Sequence, residues 1–468
     1  MARTGLMERA VAWTSRRLME RIPHSSANPY LEGRFAPVPS ETTETALEVT
    51  GSIPRELEGL YARIGPNPAS VRNPGAYHWF LGDGMVHGVR LAGGRAQWYR
   101  NRWVGTDSVN ARMGRAPVPG PRHGPFDTVN TNVIGHAGRI WALVEAGPVP
   151  MELDGDLGTV GHRLFDSPRV EAYTAHPHRD PATGELHAIC YDALRPFRVQ
   201  HIVVDAQGAV TRVQPIPVKH GPMIHDCALT ASSVVVLDLP ITFSLPEMLR
   251  GYPFPYRWNP KHDARVGLLP RNGTASDIRW FDVDPCYVFH PCNAYDLPDG
   301  GAVVDVVVHE RLFHSSHQGP EPGRITFERW TLDTASRRVK RQVLSDARQE
   351  FPRFDERRTG QAYRYAYTTA FDLDTTAKPL FRYDLPSGAQ ATHDFGPGRV
   401  AGEAVFVPRS AESAEDDGWL ITYVYDLDRE RSDLVVLNAG DFEGEPQATV
   451  HLPGRVPMGF HGNWIPDA

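Results

Sequence analysis

The chain has 468 residues, of which 41% are hydrophobic and 10% aromatic, and this is the composition of a globular protein. Its formal net charge is −7, and no stretch is rich in lysine and arginine. This argues against nucleic acid as a partner. The four cysteines lack CxxC spacing and are too few for a disulfide framework in so long a chain, so we expect a protein of the reducing cytoplasm.

The first predicted element is a short basic amphipathic helix within residues 1–27. Its apolar and basic residues recur near helical spacing: Met7, Val11, Leu18 and Ile22, with Arg9, Arg16, Arg17 and Arg21 around them. The twin arginine is not followed by an apolar stretch, so an export signal is not expected. The helix would either attach the protein peripherally to the inner face of the membrane or pack on the body of the protein. No run of 18 apolar residues exists to span a bilayer.

The rest of the chain reads as an all-β protein. Short runs rich in Val, Ile, Thr and aromatic residues are closed by Gly, Asp, Asn or Pro: "RIWALVEAG", "QHIVVDAQG", "SSVVVLDLP", "GGAVVDVVVHE", "RITFERWTLD", "GWLITYVYD" and "SDLVVLNAG". They continue to the C-terminus without a linker. We therefore predict a single domain over residues 28–468, closed into a barrel or a propeller because so many strands rarely form an open sheet.

One segment, residues 239–260, interrupts this pattern. Its sequence "LPITFSLPEML" followed by "YPFPYRWNP" concentrates apolar residues between prolines, which exclude a regular central strand. The segment is predicted to be either a hydrophobic entrance that faces lipid or a cap over the core.

The 20 histidines of the chain include the candidate metal ligands. The stretch "HERLFH" (309–314) has one residue too many for the HExxH zinc motif. Four other histidines each stand beside Pro, Gly or Asp at a predicted strand edge, from where an imidazole can project into a central cavity: His176, His225, His290 and His461. Taken singly, each is more often a structural histidine, and their separations along the chain do not by themselves distinguish the two roles.

Several longer motifs, in order along the chain, resemble the carotenoid cleavage oxygenases, a family that includes apocarotenoid oxygenases, lignostilbene dioxygenases and a retinoid isomerase. The motifs are "NPYLEGRFAPV" (28–38), "GLYARIGPNP" (59–68), "YHWFLGDGMVHGVRL" (77–91), "NTNVIGHAGRIWALVEAG" (130–147), "TAHPHRDPATGELHA" (174–188), "EFPRFDERRTG" (350–360), "GEAVFVPR" (402–409), "EDDGW" (415–419) and "HLPGRVPMGFHGNW" (451–464). The stretches "NRWVGT" and "YVFHPCNAYD" are most similar to an actinobacterial, carotenoid-cleaving branch.

The resemblance implies a seven-bladed β-propeller, with a cap of loops and helices over the face that contains the metal. It implies one Fe(II) per subunit, held on the propeller axis by His176, His225, His290 and His461. Three other histidines, His178, His187 and His220, are expected to be ordinary surface residues.

The resemblance also places carboxylates behind three of the ligands: Glu145 behind His225, Glu350 behind His290 and Glu403 behind His461. A carboxylate that accepts the second ring N–H fixes the orientation of a ligand and strengthens it as a donor. His176 is left without such a partner. The alternative for any of these glutamates is a salt bridge to an arginine such as Arg353 or Arg409.

The implied reaction is oxidative cleavage of a carbon–carbon double bond by O2, without an organic cofactor. Nitrogen ligands alone do not select iron, since copper and zinc bind them more tightly. Thr131 matches a family threonine whose methyl group partly blocks one open coordination position. The substrate is expected to lie in an apolar tunnel. Its predicted wall residues are Phe80, Met223, Phe289 and Phe351.

The expected substrate is an apolar polyene, either a carotenoid or an apocarotenoid. A stilbene-cleaving dioxygenase is the main alternative, although the phenol-binding lysine of that branch is missing: no lysine precedes Lys219, and Arg139 stands where it is expected. An isomerase or hydrolase of retinyl esters would use the same ligands. A non-enzymatic scaffold is a fourth reading, against which the complete set of histidines and glutamates argues.

Overall fold

The computed structural model describes residues 14, 17–124, 126–168, 171–321, 323–372 and 377–467. Within these residues the protein is built almost entirely from short β-strands, which confirms the predicted all-β class. Two six-residue α-helices interrupt the strands, α1 at Asp107–Arg112 and α2 at Leu245–Arg250. Single turns of 3-10 helix occupy Pro29–Leu31, Gly33–Phe35, Pro74–Ala76, Trp79–Leu81, Ala275–Asp277, Glu356–Arg358 and Ala439–Asp441.

The strands follow one another with short connections. In chain order they are β1 Thr42–Glu44, β2 Val49–Gly51, β3 Gly59–Pro66, β4 Gly84–Ala92, β5 Arg95–Trp103, β6 Asn132–His136, β7 Arg139–Leu143, β8 Met151–Leu153, β9 Thr159–His162, β10 His178–Arg179, β11 Leu186–Tyr191, β12 Arg198–Val204, β13 Val210–Pro217, β14 Cys227–Leu229, β15 Ser233–Asp238, β16 Ile241–Phe243 and β17 Tyr256–Trp258. They continue with β18 Arg265–Pro270, β19 Arg279–Asp282, β20 Tyr287–Asp296, β21 Ala302–His309, β22 Ile325–Asp333, β23 Arg338–Ser345, β24 Gln349–Phe354, β25 Tyr365–Ala370, β26 Leu380–Asp384, β27 Ala389–His393, β28 Arg399–Ala401, β29 Val405–Pro408, β30 Gly418–Asp426, β31 Arg431–Asn438, β32 Ala448–His451 and β33 Gly462–Pro466.

The strands form meandering antiparallel sheets that are arranged like the blades of a β-propeller. Hydrogen bonding gives the orders β1-β5-β4-β3-β33, β6-β7-β8-β9, β10-β11-β12-β13, β14-β15-β18-β19-β23-β22-β21-β20, β24-β25-β26-β27 and β2-β32-β31-β30-β28, with β29 also on β30. The eight-stranded sheet is held together at its middle by one parallel pair, Asp282 with Arg338.

Both ends of the chain close the arrangement. The C-terminal strand β33 pairs with β3, and the early strand β2 pairs with the late strand β32. Each sheet at the seam therefore combines strands from the two ends of the sequence, which joins the two ends of the chain within the same sheets.

Burial explains why these sequences form strands. The valine-rich β21 is buried along its whole length, as a strand covered on both faces requires. In the second half of β5, by contrast, the buried Tyr99, Asn101 and Trp103 alternate with two half-buried arginines, as in a strand with one packed face. Hydrophobic clusters fill the spaces between sheets, and the largest one involves β14, β15, β18, β20 and β21.

The segment 239–260, whose prolines were expected to exclude a regular central strand, contains a small two-stranded hairpin of its own. Strands β16 and β17 pair, and α2 stands between them. A proline occupies the first turn of α2 and Gly251, with φ of 95°, ends it, in the usual asymmetry of helix ends. The side chains of Leu245 and Leu249 are 52% and 55% exposed, an unusual exposure for leucine.

The N-terminal segment is described only in part. Residues 17–19 are helical. Met7, Val11, Arg9 and Arg16 lie outside the described residues, so the amphipathic pattern and the boundary at residue 27 stay predictions. Ile22 is buried, and the carbonyl of Leu18 lies against Gly251, where a Cβ atom would come within 2.2 Å of it. This end of the segment packs on the body of the protein. Across the described ranges, no helix has the length and apolar character needed to cross a membrane.

Candidate metal centre and substrate cavity

The four predicted ligand histidines converge at one point. His176, His225 and His461 stand just before the first residues of β10, β14 and β33, and His290 lies within β20. Each of these four strands lies at an edge of its sheet. One ligand atom from each of the four histidines lies within 4.8 Å of the others, and all four residues are buried.

The four imidazole rings are packed against one another. Ring centroids are 4.4 Å apart for His176 and His225, 4.5 Å for His176 and His461, and 4.7 Å for His290 and His461. The Nε2 atoms of His225 and His290 are 3.2 Å apart. These nitrogens therefore point toward a common centre.

Carboxylates hold three of the rings from behind. Nδ1 of His225 donates to Glu145 at 2.8 Å, Nδ1 of His290 to Glu350 at 2.7 Å, and Nδ1 of His461 to Glu403 at 3.0 Å. Because an ionised carboxylate only accepts, the proton of each ring must sit on Nδ1, and the lone pair of Nε2 faces the centre.

The residues present fit a metal ion. Nε2 of His176 is buried and has no hydrogen-bond partner, a costly arrangement unless the atom serves as a ligand. Burial and the neighbouring imidazoles hold the pKa of His176 well below its usual value. The ring stays neutral, and neutral imidazole is the form that coordinates first-row divalent metals.

Glu350 serves more than one donor. Its Oε2 accepts from His290 and from the backbone N–H of Phe351, and its Oε1 accepts from Nε2 of His309 at 2.6 Å. Although burial opposes ionisation, His290 and His309 lower the pKa of Glu350 below its ordinary range. The sequence prediction missed His309, which was considered only for a zinc-protease motif.

Glu403 combines the two roles that were predicted as alternatives. It accepts from His461, from the N–H of Gly462 at 2.9 Å, and from Arg353 at 3.4 Å. Burial raises its pKa, but Arg353 and His461 outweigh burial and lower the pKa to about 2. The other candidate, Arg409, pairs with Asp417 and Glu56 at the surface.

The backbone is locally distorted next to two of these glutamates, Glu350 and Glu145. β24 has a register shift between Glu350 and Arg353, and Phe351 has a φ of +55°. Ala146, which follows Glu145, has a φ of +69°. Left-handed conformations at residues other than glycine are strained and collect at functional sites, where the fold holds them in place.

A mostly apolar cavity of about 340 Å³ adjoins the histidines. Three of the predicted wall residues line it, Phe80, Phe289 and Phe351. Met223 does not, because it is packed in the core, where its N–H donates to Ile241 and its carbonyl accepts from Tyr287. Thr131 lines the cavity with its hydroxyl occupied by Asn130.

Many wall residues were not foreseen: Trp79, Phe126, Tyr191, Phe243, Phe254, Tyr256, Phe371 and Phe460. The sequence does indicate Phe460 as a wall residue, because it directly precedes the candidate ligand His461, as Phe289 precedes His290. Phe243, Phe254 and Tyr256 belong to the segment predicted to be an entrance or a cap. The rest lie on a strand, in loops and in a 3-10 turn, whose mutual positions no local pattern reveals.

A second, more polar cavity of about 640 Å³ shares His290, His461 and Phe351 with the first, so the histidines lie between the two. Among its lining residues are His176, His178 and Asp226. Arg139 also lines this cavity and pairs with Asp166, so it does not enter the apolar one.

Two histidines predicted to be ordinary surface residues are not. His178 is half-buried and donates to Asp226 at 2.7 Å. His187 is buried, with Nδ1 3.1 Å from Nε2 of His201. Both predictions failed because sequence neighbours do not reveal a partner on another strand or loop. His220 is exposed, as expected.

Comparison with known proteins agrees with this geometry. A family model described as Retinal pigment epithelial membrane protein, RPE65, matches residues 35–466. A carotenoid cleavage oxygenase of Mycobacterium tuberculosis is 44% identical, over 94% of this chain and 98% of its own length. A carotenoid 9,10(9',10')-cleavage dioxygenase of Arabidopsis thaliana is 33% identical, over 96% of this chain and 92% of its own.

Among solved structures, a lignostilbene dioxygenase of Pseudomonas brassicacearum superimposes with a TM-score of 0.85 at 30% identity, covering 95% of this chain and all of that one. Similarity over nearly the whole length, in sequence and in fold, shows that the chain belongs to the carotenoid cleavage oxygenase family and is an oxygenase.

Proposed function

We propose that the protein is a non-haem Fe(II) dioxygenase that cleaves one carbon–carbon double bond of a carotenoid or apocarotenoid. In the overall reaction each carbon of that bond receives one oxygen atom of O2, which gives two carbonyl products. The observation that carries the proposal is the set of four converging, buried histidines beside an apolar cavity in a member of this family.

His176, His225, His290 and His461 are the proposed ligands. Four imidazoles suit several divalent ions. The choice of iron is therefore supported by the oxygen chemistry of the relatives rather than by the ligands. When bound, iron would supply the site at which O2 is activated for attack on the alkene.

The remaining residues would act on position and environment. Glu145, Glu350 and Glu403 hold the rings in their metal-binding tautomer and orientation. Thr131, whose hydroxyl is tied to Asn130, would narrow the space beside the ligands. The aromatic walls exclude water and bind a conjugated chain through its faces.

The entrance for the polyene is proposed at α2. Leu245 and Leu249 are exposed there, and Met248, Tyr252 and Phe254 of the same segment line the cavity. Exposed apolar side chains beside an apolar cavity favour contact with a membrane, where such a substrate dissolves. We propose that a cytoplasmic protein makes this contact peripherally.

A stilbene is the second candidate substrate, favoured by the close superposition on a lignostilbene dioxygenase. Tyr191 and Tyr256 line the cavity and offer hydroxyl groups to a phenol. No lysine or arginine is found among the described residues that line it, so a phenolate would lack a cation.

The test is to incubate Fe(II)-loaded protein with O2 and micellar β-carotene, a hydroxylated carotenoid, an apocarotenal or a hydroxystilbene, and to identify carbonyl products by mass spectrometry. Cleavage of polyenes alone supports the proposal, and cleavage of the stilbene alone contradicts it. His225→Ala should lose both bound iron and turnover, since it removes one of four ligands. A His225→Ala protein that remains active and iron-replete would contradict the ligand assignment.

We also propose that the propeller has seven blades. Dividing the eight-stranded sheet at its single parallel pair gives two four-stranded units, β14-β15-β18-β19 and β23-β22-β21-β20. With the other five large sheets these make seven. A crystal structure in which those eight strands form one continuous blade would contradict the division.

A further inference from the structure

The four proposed ligands are not equally supported. Three have a carboxylate within 3.0 Å of Nδ1, whereas Nδ1 of His176 has no hydrogen-bond partner among the described residues. Its side chain is nevertheless as deeply buried as the others. A ligand ring without a partner on its second nitrogen is free to rotate and is a weaker donor.

The nearest anion to this nitrogen is Asp226. Its Oδ2 lies 3.7 Å from Nδ1 of His176, and its side chain is only 4% exposed. The other oxygen, Oδ1, accepts from Nε2 of His178 at 2.7 Å and from the backbone N–H of Cys227 at 2.6 Å. Oδ1 is therefore fully engaged, and Oδ2 is the oxygen left for His176.

The distance of 3.7 Å is beyond a direct hydrogen bond, but it is within reach of a small rotation of the carboxylate or of one bridging water. Asp226, His176 and His178 all line the polar cavity, so a water at this position has access. The carboxylate has little other freedom because two donors hold Oδ1.

We propose that Asp226 is a positioning residue for His176 and completes the set of carboxylates around the metal. This inference rests on the proposed metal centre. His178, through its bond to Oδ1, keeps the carboxylate turned toward His176. Two consecutive residues then serve the metal centre. His225 is a ligand, and Asp226 is the anion that positions the neighbouring ligand, His176.

The location of Asp226 separates its role from substrate binding. It lines the polar cavity and is not among the residues that line the apolar one. Loss of its charge should weaken metal retention and disturb the ligand geometry, and leave the KM for a polyene unchanged. If Asp226 had a merely structural role, its replacement would lower stability without changing the rate of metal release or the ligand geometry.

The experiment compares Asp226→Asn with Glu145→Gln and with a matched control, Asp433→Asn. Asp433 is likewise a buried aspartate bonded to a half-buried histidine, His451 at 2.9 Å, but it lies on β31 and lines neither cavity. Each protein is loaded with Fe(II) or Co(II), and three quantities are measured: the rate of metal release to a chelator, the visible absorption of the Co(II) form, and the melting temperature of the metal-free protein.

We expect Asp226→Asn to release metal about 10 to 100 times faster than wild type, as loss of an outer partner does at other metal sites. The Co(II) bands should shift, and Asp433→Asn should match wild type in both. If Asp226→Asn has the metal-release rate and the spectrum of wild type while Glu145→Gln releases metal faster, the inference is overturned. The proposed metal centre is then unaffected. Failure of wild type to bind metal would instead contradict the proposed function.

His178→Ala separates the carboxylate from its anchor. It keeps the charge of Asp226, and the N–H of Cys227 still holds Oδ1, so metal release should accelerate less than in Asp226→Asn. Equal acceleration in both variants would make the pair a structural clamp and overturn the inference. If Asp226→Asn does not fold, Asp226→Glu replaces it: a shifted Co(II) spectrum supports the role of the carboxylate, and an unchanged spectrum refutes it.

Discussion

Replacing Glu350 should separate the charge of an outer carboxylate from its hydrogen bonds. The glutamate accepts from three donors, His290, His309 and the N–H of Phe351. In Glu350→Gln the amide oxygen can take the place of Oε2 and keep the bonds from His290 and Phe351. The amide nitrogen would then face His309, which can accept from it once its own proton moves to Nδ1.

Glu350→Gln should therefore fold but hold metal less tightly. A neutral acceptor makes the His290 ring a poorer donor, and we expect a loss of about 10- to 100-fold in metal affinity. That corresponds to about 1.4 to 2.7 kcal/mol. Glu350→Ala leaves three buried donors without an acceptor, each at a cost of about 1 to 3 kcal/mol. Its metal-free form should thus melt well below that of Glu350→Gln.

The assay is competition for Fe(II) with a chelator, together with the melting temperature of each metal-free protein. Glu328→Gln is the control: this buried glutamate binds Arg341, Trp330 and Thr326 within a blade and approaches no candidate ligand. It should lower stability and leave metal affinity unchanged. Wild-type affinity in Glu350→Gln, or equal stability of Glu350→Gln and Glu350→Ala, would refute this reasoning.

Two further predictions concern pH and the membrane. Burial lowers the pKa of His87 to about 3, so the folded protein holds this side chain neutral. The unfolded chain protonates it near pH 6.5. The stabilisation that His87 contributes is therefore complete above pH 6.5 and declines as the pH falls from 6.5 toward 3. Between pH 7.5 and 5, His87→Gln should therefore lose about 2 kcal/mol less free energy of unfolding than wild type in urea titrations, and equal losses would contradict the shift. Leu249→Asp should weaken co-sedimentation with phospholipid vesicles without lowering the melting temperature, because Leu249 is 55% exposed. Val343→Asp, at a similarly exposed residue of β23, should not weaken it, and equal effects would argue against an entrance at α2.

The sequence was sufficient for the class of fold and the family because both depend on local or ordered features. Alternating and valine-rich runs predict strands wherever the chain is placed, and long motifs in fixed order identify relatives. The family resemblance carried by these motifs predicts His176, His225, His290 and His461 as ligands, and the structure brings them to one centre.

Only the tertiary structure decided which side chains share an environment. Asp226 directly follows a predicted ligand and His309 lies in a motif that was considered, but neither position reveals its neighbour. Asp226 lies beside His176, and His309 donates to Glu350, and each pair joins different parts of the fold. The sequence predicts Met223 in the cavity wall from its position beside His225. Both residues precede β14, and outside a regular strand a two-residue separation does not put side chains on one face. Contacts across a closed ring of sheets depend on how the sheets are packed, and that is set by the whole core rather than by any local stretch of sequence.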